Sequence, residues 1–400
     1  MRRLSLPFAP LLAAIALQVV TGTTWLEAPT LPDVQRIILA VVFVLAWRLR
    51  RGRIAWSTLA LAAVAELPSL GFETYEPTGG ASLVLICAGL WLAIDLAAAS
   101  LLREWWVLSV PGAVRMAVLL VQGLSIYWLA GAPEMQARLE ALGQGWFERW
   151  PTLQSSPLPP LLAAGLLLTL IVVTIATVRR RTPLEAGLLA ALGASGTALA
   201  VPGGLRFYLA AAGLCLAVAL VENAFSLAFN DGLTGLPARR ALEERLEQLS
   251  RSYSLAMLDL DHFKKLNDRH GHEVGDQVLK LVASRLRKVP GGGEAFRYGG
   301  EEFTVVFAGR DAEEAAIYLD ALRQQIASRP FVVRSPGRPA SKPKKAESRP
   351  KTVEKSLKVT VSIGVAERGE KAPTPEAVMK AADRALYKSK KAGRNRVTVG

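Results

Sequence analysis

Two acidic clusters hold the side chains of this sequence best suited to chemistry on a charged ligand. The first is Asp259-Leu260-Asp261-His262-Phe263-Lys264-Lys265-Leu266-Asn267-Asp268, and the second is Arg297-Tyr298-Gly299-Gly300-Glu301-Glu302-Phe303. Strand formers flank the paired glycines on both sides, so Gly299-Gly300 reads as a hairpin tip. Acids directly after such a tip supply the hard oxygen ligands that Mg²⁺ prefers. The strand Tyr253–Leu260 ends at Asp259. A hairpin carrying Glu301 beside it would bring two carboxylates and a backbone carbonyl onto one metal ion. Mg²⁺ suits that set, because it takes few protein oxygens and leaves positions for phosphate and water.

Further residues match a nucleotide. Lys264 follows Asp259 at a helix start, where phosphate also meets free N–H groups. An amide at Asn267 can donate to guanine O6, and a carboxylate at Asp276 can accept from N1–H and the 2-amino group. Lys390 and Arg394 add a point charge and a planar fork suited to a triphosphate. The sequence has no Gly-x-x-x-x-Gly-Lys-Ser/Thr loop, so this is not a P-loop site. His270 and His272 lack the further His or Cys that would complete a zinc site. Taken singly, each of these residues has a plainer use: Lys390 and Arg394 as a solvated helix end, Asp276 as a cap, Asp261 as a structural acid. Their joint order and spacing give them weight.

The elements that must position these residues alternate between strands and amphipathic helices from Asp231 onward. Helices are expected over Pro237–Ser250, Glu273–Val289, Asp311–Ser328 and Thr374–Ala392. Strands are expected over Tyr253–Leu260, Val359–Val365 and Arg396–Val399, together with the hairpin. A sheet covered by helices in about 170 residues makes one ordinary domain. Arg334–Lys358 interrupts the pattern with four prolines and nine basic residues against Glu347 and Glu354. It reads as a disordered basic, Pro-rich insertion, solvated or drawn to anionic headgroups.

The first half of the chain is built for a different solvent. The formal charge of the 400 residues is +14, yet the first Lys is Lys264 and all nine Trp precede residue 151. That distribution does not suit a nucleic-acid reader. Eight apolar stretches, 7–25, 34–48, 54–71, 81–102, 107–130, 160–178, 183–202 and 205–223, each approach the ~20 residues that span a bilayer. Arg2-Arg3, Arg48–Arg53, Arg103 and Arg179–Arg181 alternate with loops lacking clustered bases (27–33, 72–80, 131–159 and 201–204). One alternating path then puts every arginine cluster, both termini and the segment after 223 in the cytoplasm. A cleaved signal peptide is the competing reading of Met1–Thr24, but further spans follow and no small-x-small cleavage site does. Arg115, Arg206 and Glu222 lie near span ends and are expected to snorkel. Glu66 and Asp95 either line a sensory cavity or form a paired structural contact. Trp146–Trp150 is expected to rest on the lipid interface. Cys87 and Cys215, inside apolar runs, read as small buried side chains without a disulfide.

The second half resembles the GGDEF-domain diguanylate cyclases. The resemblance covers Asp231–Val399. It is carried by Asp231-Gly232-Leu233-Thr234-Gly235-Leu236, Asp259–Asp268, Gly271–Asp276, Arg297–Phe303, Val361-Ser362-Ile363-Gly364-Val365-Ala366, Ala382–Tyr387 and Gly393-Arg394-Asn395. With the apolar first half read as an all-α polytopic transmembrane domain of no recognised family (1–223, about eight helices) and 224–230 as a short signalling linker, the resemblance implies that 231–400 is an α/β (α+β) catalytic domain. That domain would have a nucleotidyl-cyclase-like, palm-like central antiparallel sheet flanked by helices. It also implies that two GTP condense into cyclic di-GMP plus pyrophosphate across the two-fold axis of a homodimer in the bacterial inner membrane.

By the same resemblance, Asp259, the Leu260 carbonyl and Glu301 hold Mg²⁺, with Mn²⁺ as a substitute, and Glu301 takes the 3′-OH proton. Asn267 and Asp276 read guanine, His272 lies near the nucleotide, and Lys264, Lys390 and Arg394 bind phosphates. Glu301 stands where the family more often has Asp. The inhibitory product site, an Arg-x-x-Asp, would fall at 290 and 293, which are Pro290 and Gly293; feedback through it is expected to be absent. Ala238 replaces the usual Asn of the opening motif. A catalytically silent GTP- or cyclic-di-GMP-binding membrane regulator is the other reading, and the intact Asp259, Glu301, Lys264, Asn267 and Asp276 weigh against it. A transporter with a regulatory domain would rest on Glu66 and Asp95 alone.

Overall fold

A computed structural model describes residues 5–21, 31–70, 83–132, 134–135, 158–249, 252–328, 331–332 and 356–400. The Trp146–Trp150 loop and nearly all of the 334–358 insertion lie outside them. The chain divides into two compact units, Met1–Phe225 and Ser226–Gly400.

The first unit is helical, and each expected apolar stretch contains a helix. They are α1 (Ala9–Thr21), α2 (Leu31–Arg48), α3 (Gly52–Ala65), α4 (Leu83–Leu101), α5 (Val110–Ala130), α6 (Pro160–Arg180), α7 (Pro183–Ala200) and α8 (Leu205–Phe229). Among the described helices, five (α4 to α8) are long and apolar enough to cross a membrane by length and composition. Helix α8 runs on to Phe229, so the residues expected to begin the linker are helical. The outward rows are apolar: α5 exposes Val114, Val121, Leu124, Tyr127 and Trp128, and α6 exposes Leu167, Leu168, Ile171 and Ile175.

Two of the charges left open by sequence are paired. Glu66 accepts two hydrogen bonds from Arg36, at 2.8 and 2.7 Å. Asp95, buried in α4, accepts from Gln122 Nε2 at 3.3 Å. Arg115 departs from the snorkelling expectation, because its side chain turns inward and is buried. Cys87 and Cys215 are both free thiols.

The second unit is a sheet with helices on both faces. Its helices are α9 (Arg239–Gln248), α10 (Phe263–His270), α11 (His272–Leu286), α12 (Ala312–Ser328) and α13 (Pro375–Lys391). Its strands are β1 (Tyr253–Leu260), β2 (Glu294–Gly299), β3 (Glu302–Ala308), β4 (Phe331–Val332), β5 (Ser356–Leu357), β6 (Val361–Glu367) and β7 (Val397–Val399). The five-stranded sheet runs β2-β3-β1-β6-β7, and β4 pairs only with β5. All neighbours are antiparallel except β6 and β7, so the sheet is mixed at one edge.

Strand β1 is central and buried on both faces. Its period of two sorts it cleanly. Ala256, Leu258 and Leu260 join the core under α11 and α12, while Tyr253, Leu255 and Met257 join the core under α9 and α13. Asp259 continues the second row. The alternation that builds the core therefore delivers this carboxylate to the α13 side.

Candidate active site

Register fixes the acidic pair. Asp259 stands opposite Glu302 across β1 and β3, and Gly299 stands opposite Glu302 across β2 and β3, so Gly300-Glu301 is the loop of the hairpin. Glu301 thus sits at the turn beside the end of β1. Burial, and then the charge of Asp259, push the Glu301 carboxyl above the usual carboxylate range. Burial likewise pushes Asp259 up, against the pull of the Lys390 ammonium. Two carboxyls whose ionisation burial opposes, one of them further opposed by the other's charge, could hold a cation.

Lys390 arrives from the far end of the domain, and its Nζ lies 2.9 Å from Asp259 Oδ2. Its position follows from helical spacing: Leu386, one turn earlier, is in the core under α13. Gly364 in β6 lets α13 come this close. A Cβ there would meet Leu386 N at 2.0 Å and Ala382 O at 2.3 Å. Ser389 Oγ then donates to the Ile363 carbonyl at 2.7 Å, tying the last turn of α13 to the strand.

Asp261 is the hub of the corner. Its carboxylate accepts from Thr360 Oγ1 (2.7 Å), Ser362 Oγ (2.6 Å) and the Asn395 backbone N–H (3.1 Å). This acid is structural, and it holds the turn carrying Arg394 against the end of β1.

The hairpin tip is anchored too. Arg297 donates to the Gly300 carbonyl through Nη2 (2.6 Å) and to Asp231 Oδ1 through Nη1 (2.8 Å). Asp231 Oδ1 also takes the Thr234 N–H at 2.7 Å and the Thr234 hydroxyl at 2.6 Å. Burial alone would raise the Asp231 carboxyl, but the bonds from Thr234 and Arg297 outweigh it and hold it below the usual range. This link was absent from the sequence reading, and the only signal for it is an Arg directly before the Gly-Gly tip.

The residues expected to read guanine form a second group on α10 and α11. Asn267 Oδ1 is buried without a hydrogen-bond partner among the described residues, against Gly275, where a Cβ would meet it at 1.9 Å. Asp276, His272 and Lys264 are exposed. Among the described residues, no hydrogen bond joins this group to Asp259 or Glu301. Arg394 is exposed, in a turn through the left-handed region (φ 63°), and its charge acts on Asp259.

Pro290 and Gly293 stand where the Arg and Asp of an inhibitory site would fall. Pro290 begins a glycine turn in which Gly291 O accepts from Arg310 Nε at 2.8 Å, and the Arg310 guanidinium lies over Tyr318.

Comparison with known proteins finds relatives of the second unit. Residues 228–396 match the family model described as "Diguanylate cyclase, GGDEF domain". The chain is 40% identical over 188 residues to diguanylate cyclase DgcP of Pseudomonas aeruginosa, covering 45% of this chain and 25% of DgcP. It is 35% identical over 185 residues to the response regulator PleD of Caulobacter vibrioides, covering 44% and 37%. Among solved structures, it is similar to the coiled coil and GGDEF domain of DgcB from Caulobacter crescentus in complex with c-di-GMP. That likeness has 34% identity and a TM-score of 0.38, and covers 45% of this chain and 90% of the other. Residues 228–396 are a GGDEF domain, and no family is assigned to the helical region before them. The chain spans between a quarter and two fifths of the length of these two curated relatives.

Proposed function

We propose that this chain is a membrane-bound diguanylate cyclase, condensing two GTP into one cyclic di-GMP with release of two pyrophosphates. The observation that carries the reading is the corner formed by Asp259, Glu301 and Lys390: two carboxyls pushed up by burial, Glu301 further by the charge of Asp259, and Asp259 held by an ammonium.

That corner fits a divalent cation. Asp259, Glu301 and the Leu260 carbonyl would hold Mg²⁺, or Mn²⁺ in its place. Among the described residues no group of three or more acidic, His or Cys side chains could cage a metal, so its other positions fall to phosphate and water, as Mg²⁺ favours. When bound, the ion neutralises charge on the reacting phosphate.

The chain's own residues do the rest. Glu301 accepts the proton of the 3′-hydroxyl as its oxygen bonds to the α-phosphorus of the other GTP. The α–β phosphoanhydride bond breaks and pyrophosphate leaves. Lys264, Lys390 and Arg394 hold phosphates, Asn267 and Asp276 grip guanine, and His272 lines the nucleotide. Phosphoryl transfer asks mainly for such positioning and charge neutralisation. Because each domain supplies one GTP, the active form is a homodimer through the cyclase domain.

The exposed Val, Leu and Ile rows of α5 and α6 support burial in lipid, since so much apolar surface is unusual on a soluble monomer. The arginine clusters support cytoplasmic termini, with residues 1–223 in the bacterial inner membrane, 224–230 as linker and 231–400 as catalytic domain. Pro290 and Gly293 support a cyclase without the family's product brake.

The test uses the full chain in lipid nanodiscs with GTP and Mg²⁺. Cyclic di-GMP and pyrophosphate should form. GTP binding without turnover would instead favour the catalytically silent regulator.

A further inference from the structure

Three guanidinium groups and two carboxylates gather where the arginine-bearing ends of α3 to α7 meet. Arg53 donates from Nε to Glu104 Oε2 at 3.0 Å, and from Nη1 to Glu185 Oε1 at 3.1 Å and the Ala99 carbonyl at 3.0 Å. Arg180 donates to the same Glu185 oxygen at 3.3 Å. Both carboxylates are thus engaged by Arg53 and Arg180, and the group carries one positive charge more than negative.

The excess falls on Arg115. Its Nη2 donates to the Arg103 carbonyl at 2.9 Å, and no carboxylate of the described residues forms an ion pair with it. Its Nη1 has no hydrogen-bond partner among the described residues, although the residue is only 8% exposed. The guanidinium lies 5.5 Å from the ring centroid of Trp56. The Trp56 Nε1–H is also buried and without a partner, in a residue 4% exposed.

Burying an unpaired charge or an unused donor is costly, and a native chain rarely leaves one without an occupant to satisfy it. Here two unused donors sit on stacked neighbours beside a buried positive charge that no ion pair among the described residues neutralises. A bridging water would satisfy the donors but leave the charge. An acceptor with two oxygens and a negative charge answers both. We propose that Arg115 and Trp56 bind a small oxyanion group, a phosphate or a carboxylate, within the helical unit, one oxygen on Arg115 Nη1 and another on Trp56 Nε1. The same chemistry is offered by a soluble anion and by the headgroup of an anionic lipid. The proposal does not depend on the cyclase reading.

The test follows thermal unfolding of the helical region of the full chain. In nonionic micelles, phosphate and acetate are titrated against chloride at equal ionic strength. In nanodiscs, phosphatidylglycerol is compared with phosphatidylcholine. A saturable rise in midpoint should be lost in Arg115→Gln, kept in the exposed control Arg48→Gln, and shifted to about tenfold higher concentration in Trp56→Phe. That pattern in micelles identifies a soluble anion; the same pattern only with phosphatidylglycerol identifies a headgroup. Equal responses of wild type and Arg115→Gln in both media overturn the site. Should Arg115→Gln fail to fold, Trp56→Phe decides: a response identical to wild type overturns it.

Discussion

Lys390 Nζ lies 2.9 Å from Asp259 Oδ2, so a cation assigned to substrate phosphate is held by a carboxylate assigned to metal. In the proposed site the ammonium and a divalent ion would compete for one oxygen, and an ion held by Asp259 would free Lys390 for phosphate. Lys390→Met should therefore tighten Mg²⁺ or Mn²⁺ binding in the absence of nucleotide, by about tenfold for a lost charged hydrogen bond. The same substitution should lower cyclic di-GMP formation. Calorimetry with metal alone reads the first effect, and weaker metal binding in the variant would defeat the competition.

Glu301→Gln should lower turnover by about 10²–10⁴-fold, the usual worth of a positioned general base. The fold should survive, because the change removes a carboxylate whose ionisation burial and Asp259 oppose. In a separate Asp259→Asn variant the Glu301 carboxyl should move back toward its ordinary value, visible as an NMR titration on residues 226–400. An unchanged Glu301 titration would mean that the two carboxylates do not share the corner.

Asp231 makes the domain's stability depend on acid. Its carboxyl is held below the ordinary value, so the stability it contributes is fully present above that value, 3.8, and is lost as pH falls through the lower folded one. Asp231→Asn should cost about 1–2 kcal/mol near neutrality, in line with charged hydrogen bonds to Thr234 and Arg297. The gap between variant and wild type should close as acid protonates Asp231. Denaturant melts at several pH values check it, and a gap that widens in acid would reverse the assignment.

Gly364→Ala would drive a methyl into the backbone of α13 at Leu386 and Ala382. Backbone cannot step aside as a flexible side chain can. The expected loss is at least about 3 kcal/mol, the upper end of core overpacking, and Lys390 should be displaced with the helix. Near-wild-type stability would show that α13 is not seated as described.

Ala238 is the N-cap of α9, in extended backbone (φ −84°, ψ 177°) and without a side-chain cap bond. The departure from the family's Asn leaves a helix end uncapped. Ala238→Asn should stabilise residues 226–400 by about 1 kcal/mol, read as a higher melting midpoint; no gain would mean another group satisfies those N–H donors.

Much of this architecture is readable from residues alone, for physical reasons. Strand β1 is legible to the residue because Tyr253–Leu260 is an unbroken run of strand-compatible side chains closed by two acids. The hydropathy of the first half marks each helix, because apolar length is a property of composition. Hydropathy does not say which way an arginine turns, so Arg115 reads as a snorkelling residue and proves to be buried. Helix α10 does not stand out beforehand, since Gly271 separates it from α11 within a short polar segment. The Lys390–Asp259 pair and the hub at Asp261 join positions far apart in the chain. Local pattern has no means of announcing them. Gly364 shows why: its meaning lies in the helix packed against it.

The three bonds to Asp261 come from Thr360, Ser362 and Asn395, and the partner of Asp259 is Lys390. A ribosome making this chain completes both acidic clusters long before it reaches those partners. The corner at Asp259 and Asp261 therefore lacks part of its support until Lys390 and Asn395 have been made, and a nascent chain halted before Lys390 carries both acidic motifs without them.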